Sequence, residues 1–264
     1  MRRSRVRVPD LALFFYISRA SRLFSITAMP NNYFQFKKFT IVQDGCAMKV
    51  GTDGCLLGAW FGTDGCKRIL DVGTGSGLIA LMTAQRSNAL VTGVEIEETA
   101  AAQAAENVKN SPWRDRVEII CCDYTKFTPS EKFDAIVSNP PYFANSLKCS
   151  DSSRTLARHN DSLSPALFFK KTKEILADNG KVSLVLPTDE LPLWAENATI
   201  YGFSLHRVLH VHTTPRKPAK RVLAEFGRQA CNTPVREDLI LENSPGEYSA
   251  EATALLRDFY LKMA

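Results

Sequence analysis

Short apolar runs alternate with amphipathic stretches along most of this chain, and the alternation sets its elements. Ile69-Leu70-Asp71-Val72 has strand character and runs into three glycines at alternate positions, Gly73, Gly75 and Gly77. Leu78, Ile79, Leu81 and Met82 then take up helical spacing. Leu90-Val91-Thr92-Gly93-Val94 reads as a second buried strand, ended by Glu95. The alanine-rich span from Glu97 to Asn110, acidic at its start, predicts a helix. Val117 to Cys122 is a third strand with Asp123 at its carboxyl end, and Phe133 to Ser138 is a fourth, delivering Asn139-Pro140-Pro141-Tyr142. Ser164 and Pro165 form a cap and first-turn pair that opens a helix through Leu176, stopped by Asn179-Gly180. Lys181 to Leu186 is a fifth strand, Asp189 to Asn197 a helix, and Leu205 to Val211 and Arg221 to Phe226 two late strands. The expected fold is α/β: a doubly wound, seven-stranded sheet, mostly parallel with an antiparallel end strand.

Ahead of this frame, Phe34, Phe36 and the run Phe39 to Gln43 read as short strands with a turn at Asp44-Gly45. Met48 to Gly54 forms a lid-like turn into a helix carrying Leu56, Leu57, Trp60 and Phe61. Thr52 or Asp53 either caps that helix or contacts a ligand.

Composition narrows the function classes. At 264 residues, 45% hydrophobic and 23% charged, the chain can bury the core of one doubly wound domain. The net charge of +5 is misleading, because residues 1–28 hold six of the 33 basic residues and one of the 28 acidic ones, leaving 27 of each. A globally basic nucleic-acid binder is therefore not indicated, and any basic surface must be local. The first 28 residues join arginines to a short apolar run, Leu11 to Ile17, but arginines resume where a targeting signal would be cleaved. They read as a disordered extension or an over-long translation start, with residues 29–264 as the single domain and Met29 as the natural start. Seven cysteines without a CxxC, and only four histidines, favour reduced thiols in the cytosol over a disulfide scaffold or a metal cluster.

The glycine-rich turn suggests a nucleotide pocket, since alternate glycines let a ligand approach the backbone. A dinucleotide fingerprint reads GxGxxG. Here the third glycine comes one position early, and Asp71 would repel a pyrophosphate while favouring the ammonium and sulfonium of S-adenosylmethionine (SAM). Glu95 follows Gly73 by 22 positions, near the roughly 20 expected of an acid that accepts ribose hydroxyls. Asp123 either accepts from the adenine amino group of the cofactor or simply closes its strand. At the fourth strand end, the Asn139 side-chain oxygen and the Pro140 carbonyl can accept from an NH2 group and turn its lone pair towards a methyl. Pro140 and Pro141 stiffen the corner, and Tyr142, with Phe143 beside it, can stack on a planar ring. The acceptor is then adenine, cytosine, guanine or a glutamine side chain.

These motifs together resemble the class I SAM-dependent methyltransferases that carry Asn-Pro-Pro-Tyr. The runs Phe34-Gln-Phe-Lys-Lys-Phe-Thr-Ile41, Met48-Lys-Val-Gly-Thr-Asp53, Leu57-Gly-Ala-Trp60 and Arg158-His159 are more narrowly similar to the tRNA1(Val) (adenine(37)-N6)-methyltransferase family. That resemblance covers the chain from about Met29 to its carboxyl end. It implies a Rossmann-like sheet, SAM bound through Asp71, Gly73, Gly75, Gly77, Glu95, Asp123 and Asn139, and chemistry at Asn139, Pro140, Pro141 and Tyr142. It also implies a tRNA partner, a valine isoacceptor methylated at adenine 37; the enzyme is expected to be a monomer with no metal and no membrane attachment. Arg154, Arg158 and His159, and the loop residues Arg216, Lys217, Lys220 and Arg221, are candidates for RNA phosphates or are solvated loop charges. A release-factor glutamine methyltransferase, or one acting on amines of rRNA or DNA, uses the same tetrapeptide. The former group usually carries a helical domain of some 80 residues before its SAM fold, whereas only about 40 residues here, read as strands, separate Met29 from Ile69. A non-catalytic SAM-fold module would be expected to have lost Asn139 or the glycines, and neither is missing.

Overall fold

The computed structural model describes residues 32–46, 48–141 and 163–263. The expectation for residues 1–28 lies outside them. Eight strands form the central sheet: β3 (Arg68–Val72), β4 (Leu90–Glu95), β5 (Val117–Cys121), β6 (Phe133–Ser138), β7 (Leu176–Pro187), β8 (Ser204–His212), β9 (Arg221–Gly227) and β10 (Val235–Ile240). They run in the order β10-β8-β9-β7-β6-β3-β4-β5. From β3 the chain winds outward to β4 and β5, then returns to place β6 on the other side of β3. The crevice between the carboxyl ends of β3 and β6 is thus the topological switch point, where such sheets bind ligands.

Two details correct the expected sheet. The antiparallel strand is β9, and it lies inside the sheet between β7 and β8 instead of at its end. An eighth strand, β10, pairs parallel to β8; four of its six side chains are exposed, so it lacks the apolar run of a buried parallel strand.

Helices cover both faces. On one side lie α1 (Thr52–Trp60), α2 (Leu78–Arg86), α3 (Glu98–Lys109) and α6 (Ala250–Leu256), and on the other α4 (Pro165–Ile175) and α5 (Leu191–Ile200). Strand alternation divides β3 between the two cores: Ile69 packs with the first group, Leu70 and Val72 with the second, and Asp71 therefore faces the α1–α2 side. A hairpin, β1 (Tyr33–Gln35) and β2 (Thr40–Val42), is tied to α3 by buried Asn107, which exchanges hydrogen bonds with the Val42 backbone at 3.0 and 2.8 Å. A small carboxyl-terminal hairpin, β11 (Glu242–Ser244) and β12 (Glu247–Tyr248), completes the strands described.

The helix starts follow the sequence at α3 and α4 and depart from it at α1. Glu97 caps α3 through the Thr99 and Ala100 N–H groups, and Ser164 caps α4 through that of Leu167. At α1 the N-cap is Gly51, without a side-chain bond, and Asp53 instead accepts from Arg221 Nε at 2.7 Å. Helix α4 ends at Ile175, and Leu176 already belongs to β7, so neither the helix through Leu176 nor a strand start at Lys181 is met. Helix α5 starts two residues later than expected and runs three further.

Candidate active site

The site is assembled from cross-bonds between strand ends. The Gly73 and Thr74 N–H groups both donate to Val94 O, at 2.9 and 3.0 Å, fixing the glycine turn to the end of β4. Ser138 Oγ donates to Val72 O at 2.7 Å, so the residue before Asn139 is bolted to the residue before Gly73. Cys122 N donates to Glu95 O at 2.8 Å, joining β5 to the same rim. The ends of β3, β4, β5 and β6 thus form one stiff edge carrying Gly73, Glu95, Asp123 and Asn139.

Within that edge the three glycines differ. Gly73 and Gly75 have φ of 67° and 55°, in the left-handed region, and a Cβ at either would meet no atom within 4 Å. They border open space, as a cradle for a ligand must. Gly77, at φ 81°, is the N-cap of α2, and its Cβ position lies 3.5 Å from the Ala104 Cβ. It serves the packing of α2 against α3 rather than the cradle.

Asp71 lies beneath the turn and is fully buried. Its Oδ2 accepts from Thr74 Oγ1 at 2.6 Å and from Ala80 N at 3.1 Å. Its Oδ1 is also buried and has no hydrogen-bond partner among the described residues. Burial pushes its carboxyl up from 3.8 to about 7, outweighing the bonds from Thr74 and Ala80; the Glu95 charge adds to the rise. An orphaned carboxylate oxygen beside an open glycine cradle suits a ligand that brings positive charge.

Glu95 stands at the rim, half-buried. Its Oε2 accepts from Gly75 N at 2.9 Å, and its Oε1 accepts from Ile96 N at 2.9 Å and Glu97 N at 3.1 Å. Asp123 begins a short 3₁₀ turn, Tyr124–Lys126, and its Oδ1 accepts from both the N–H and the hydroxyl of Thr125. Those bonds, led by the Thr125 hydroxyl, hold its carboxyl below the usual range. Asn139 Nδ2 donates to Met48 Sδ at 3.7 Å, and Pro140 beside it is buried. Tyr142, Arg154, Arg158 and His159 lie outside the described residues.

Of the basic loop between β8 and β9, Arg216, Lys217 and Lys220 are exposed. His212 anchors the loop, bonded to Lys217 O at 2.9 Å and to Asp238 Oδ1 at 2.7 Å. Thr188, just past β7, donates from its N–H to Lys220 O at 3.2 Å and from its hydroxyl to Ala219 O at 3.0 Å. In the strand order β9-β7-β6 the loop meets the rim two strands from Asn139, about 10 Å at ordinary strand spacing. Arg221 differs from its neighbours, since its guanidinium is engaged by Asp53 and by Lys220 O.

Sequence reasoning missed Thr74, Ser138 and Asn107, all buried polar residues that hold the site's backbone. Asn107 Nδ2 also donates to Ser76 O at 2.9 Å. Thr74 lies between glycines, Asn107 among polar helix residues and Ser138 at the end of an apolar run, and none of these settings says which partner is found.

A switch-point cradle of glycines, an acid at the next strand end and an Asn-Pro-Pro corner across the crevice define a class I methyltransferase, the class whose cofactor is S-adenosylmethionine. Comparison with known proteins narrows this. Residues 49–192 match the methyltransferase small domain family. Relatives from Parabacteroides distasonis and Bacteroides fragilis are 48% and 49% identical, each aligned over 89% of this chain and all of the relative. Both are called tRNA1(Val) (adenine(37)-N6)-methyltransferase, and the chain belongs to that family. A crystal structure of a "predicted O-methyltransferase" from Agrobacterium tumefaciens superposes with a TM-score of 0.63 at 20% identity, over 78% of this chain and 96% of that one, which concerns the fold alone. Among the described residues no helix is long and apolar enough to cross a membrane, and no cluster of His, Cys, Asp or Glu could hold a metal ion.

Proposed function

We propose that this protein methylates the exocyclic amine of an adenine in tRNA, specifically adenine 37 beside the anticodon of tRNA1(Val), and that it does so as a monomer in the cytosol, where tRNA is found. The relatives named above carry that activity in their names, and an anticodon-loop base costs little to splay into a pocket.

The cofactor supplies an electrophilic methyl on a sulfonium. Gly73 and Gly75 would leave room for its amino-acid portion, Asp71 would provide the buried negative charge beneath, Glu95 would accept from the ribose hydroxyls, and Asp123 would accept from its adenine. Ribose binding requires Glu95 to share or surrender its bond to Gly75 N. On the substrate side, the Asn139 side-chain oxygen and Pro140 O accept the two amine hydrogens. These two acceptors would draw the nitrogen out of conjugation with the ring and aim its lone pair at the methyl that the cofactor's sulfonium would give up. The extra proton on nitrogen then passes to water. Arg216, Lys217 and Lys220, with Arg154, Arg158 and His159, take RNA phosphates, while Tyr142 stacks on the base.

The observation that carries this reading is the Ser138–Val72 bond, which sets the acceptor corner against the glycine turn. Incubation with labelled SAM, total tRNA and release factor from a strain lacking the gene, followed by mass spectrometry of nucleosides and peptides, tests it. N6-methyladenosine in the valine tRNA is expected; label on a release-factor glutamine, with none in RNA, overturns it.

A further inference from the structure

We propose that Met48 is a positioning residue for methyl transfer, its thioether fixing which end of the Asn139 side-chain amide faces the acceptor amine. The inference rests on the function proposed above. It starts from the 3.7 Å hydrogen bond between Asn139 Nδ2 and Met48 Sδ, across 91 residues of sequence. Met48 is 54% exposed, so core packing does not account for it.

The surrounding backbone brings it there. Gln43, itself buried, accepts from Val50 N at 2.8 Å through Oε1, pinching together the two ends of the segment that holds Met48. At its near end this segment touches the first turn of α3, where a Cβ on Gly45 would lie 3.2 Å from Thr99 O. Cys46 sits close enough to Glu95 and Glu97 that, after burial, their charges are what raise its thiol. The segment therefore reaches from the ribose acid on one side of the cradle to the acceptor corner on the other, with Met48 against the corner.

A side-chain amide has two ends of nearly equal shape and opposite polarity. Turned one way, Asn139 offers an oxygen to the substrate NH2; turned the other, it sets donor against donor and the amine cannot be drawn out of conjugation. A thioether sulfur can accept but carries no proton to donate. It therefore pairs only with the Nδ2 end and directs the oxygen away from itself.

Two substitutions separate this role from that of an apolar wall. Met48→Leu keeps the shape and removes the acceptor, whereas Met48→Glu keeps an acceptor without a donor and removes the apolar surface. Positioning predicts that kcat at saturating tRNA falls about 10- to 100-fold in Met48→Leu, as for a misplaced reacting group, with SAM affinity unchanged by calorimetry, and that Met48→Glu retains the higher kcat of the two. The reverse order, or equal loss in both, overturns it. A readout independent of substrate is exchange of the Asn139 side-chain amide protons by NMR in the SAM complex. Slower exchange in the wild type and Met48→Glu than in Met48→Leu is expected, and identical exchange in all three contradicts the proposal. If the wild type methylates no tRNA, the substrate assignment falls while the exchange experiment still decides the role of Met48.

Discussion

Replacing Asp71 with Asn probes the carboxyl around which the cradle is built. In the free protein the group is fully buried and raised from 3.8 to about 7. At 1.36 kcal/mol per unit, keeping it ionised costs the fold ~4 kcal/mol relative to an exposed carboxylate. The folded state binds this proton more tightly than the unfolded state. Its contribution to stability is therefore complete below about pH 4 and is lost as the pH rises through about 7. Asp71→Asn is neutral at every pH and nearly isosteric, and its oxygen can still accept from Thr74 Oγ1 or Ala80 N. Urea unfolding of both proteins at pH 5, 6, 7 and 8 should show the wild type losing about 2–3 kcal/mol of stability against the variant over that range, the remainder of the effect lying below pH 5. The cation of SAM favours the ionised form, so cofactor binding to the wild type should release a proton and tighten from pH 6 to pH 8, while binding to Asp71→Asn stays weak and flat. Parallel stability curves for the two proteins would refute the reasoning.

Further outcomes follow from the same geometry. Asn139→Ala should abolish methyl transfer while calorimetric SAM affinity is kept; strong residual activity would remove the acceptor role. Gly77→Ala, strained at φ 81° and facing Ala104, should cost about 1–2 kcal/mol in denaturant unfolding. Gly75→Ala, at φ 55°, carries similar backbone strain and should in addition weaken SAM binding, since its side chain enters the open cradle; an equal loss of SAM affinity in Gly77→Ala would contradict the distinction. Replacing Arg216, Lys217 and Lys220 by Ala should lower the slope of log affinity for tRNA against log salt by about 2, at roughly 0.7 per phosphate contact. An unchanged slope would place the phosphate contact elsewhere.

Local signals were legible in the chain and distant pairings were not. The βαβ order, the glycine turn, the acidic helix start at Glu97, the cap at Ser164 and the strand delivering Asn139 each depend on residues a few positions apart. Strand β10 escaped because its exposed side chains carry neither an alternating nor a continuous apolar pattern. The interior place of β9 escaped because period-2 spacing reports a strand but not its neighbours. Asp53 and Arg221 pair across 168 residues, and Met48 and Asn139 across 91, so Asp53 read equally well as a cap and Arg221 as a phosphate ligand. Asp71 was recognised as a carboxylate suited to a cation, but its position at a strand end gave no sign that it lies wholly beneath the turn.

The most direct measurement is a crystal structure of the protein with a non-reactive SAM analogue and the anticodon stem-loop of tRNA1(Val). The adenine amine is expected within hydrogen-bond distance, about 3 Å, of both Asn139 Oδ1 and Pro140 O, with its nitrogen facing the methyl position. An analogue whose methyl position lies far from the Asn139-Pro140 corner, with the base held elsewhere, would contradict the account.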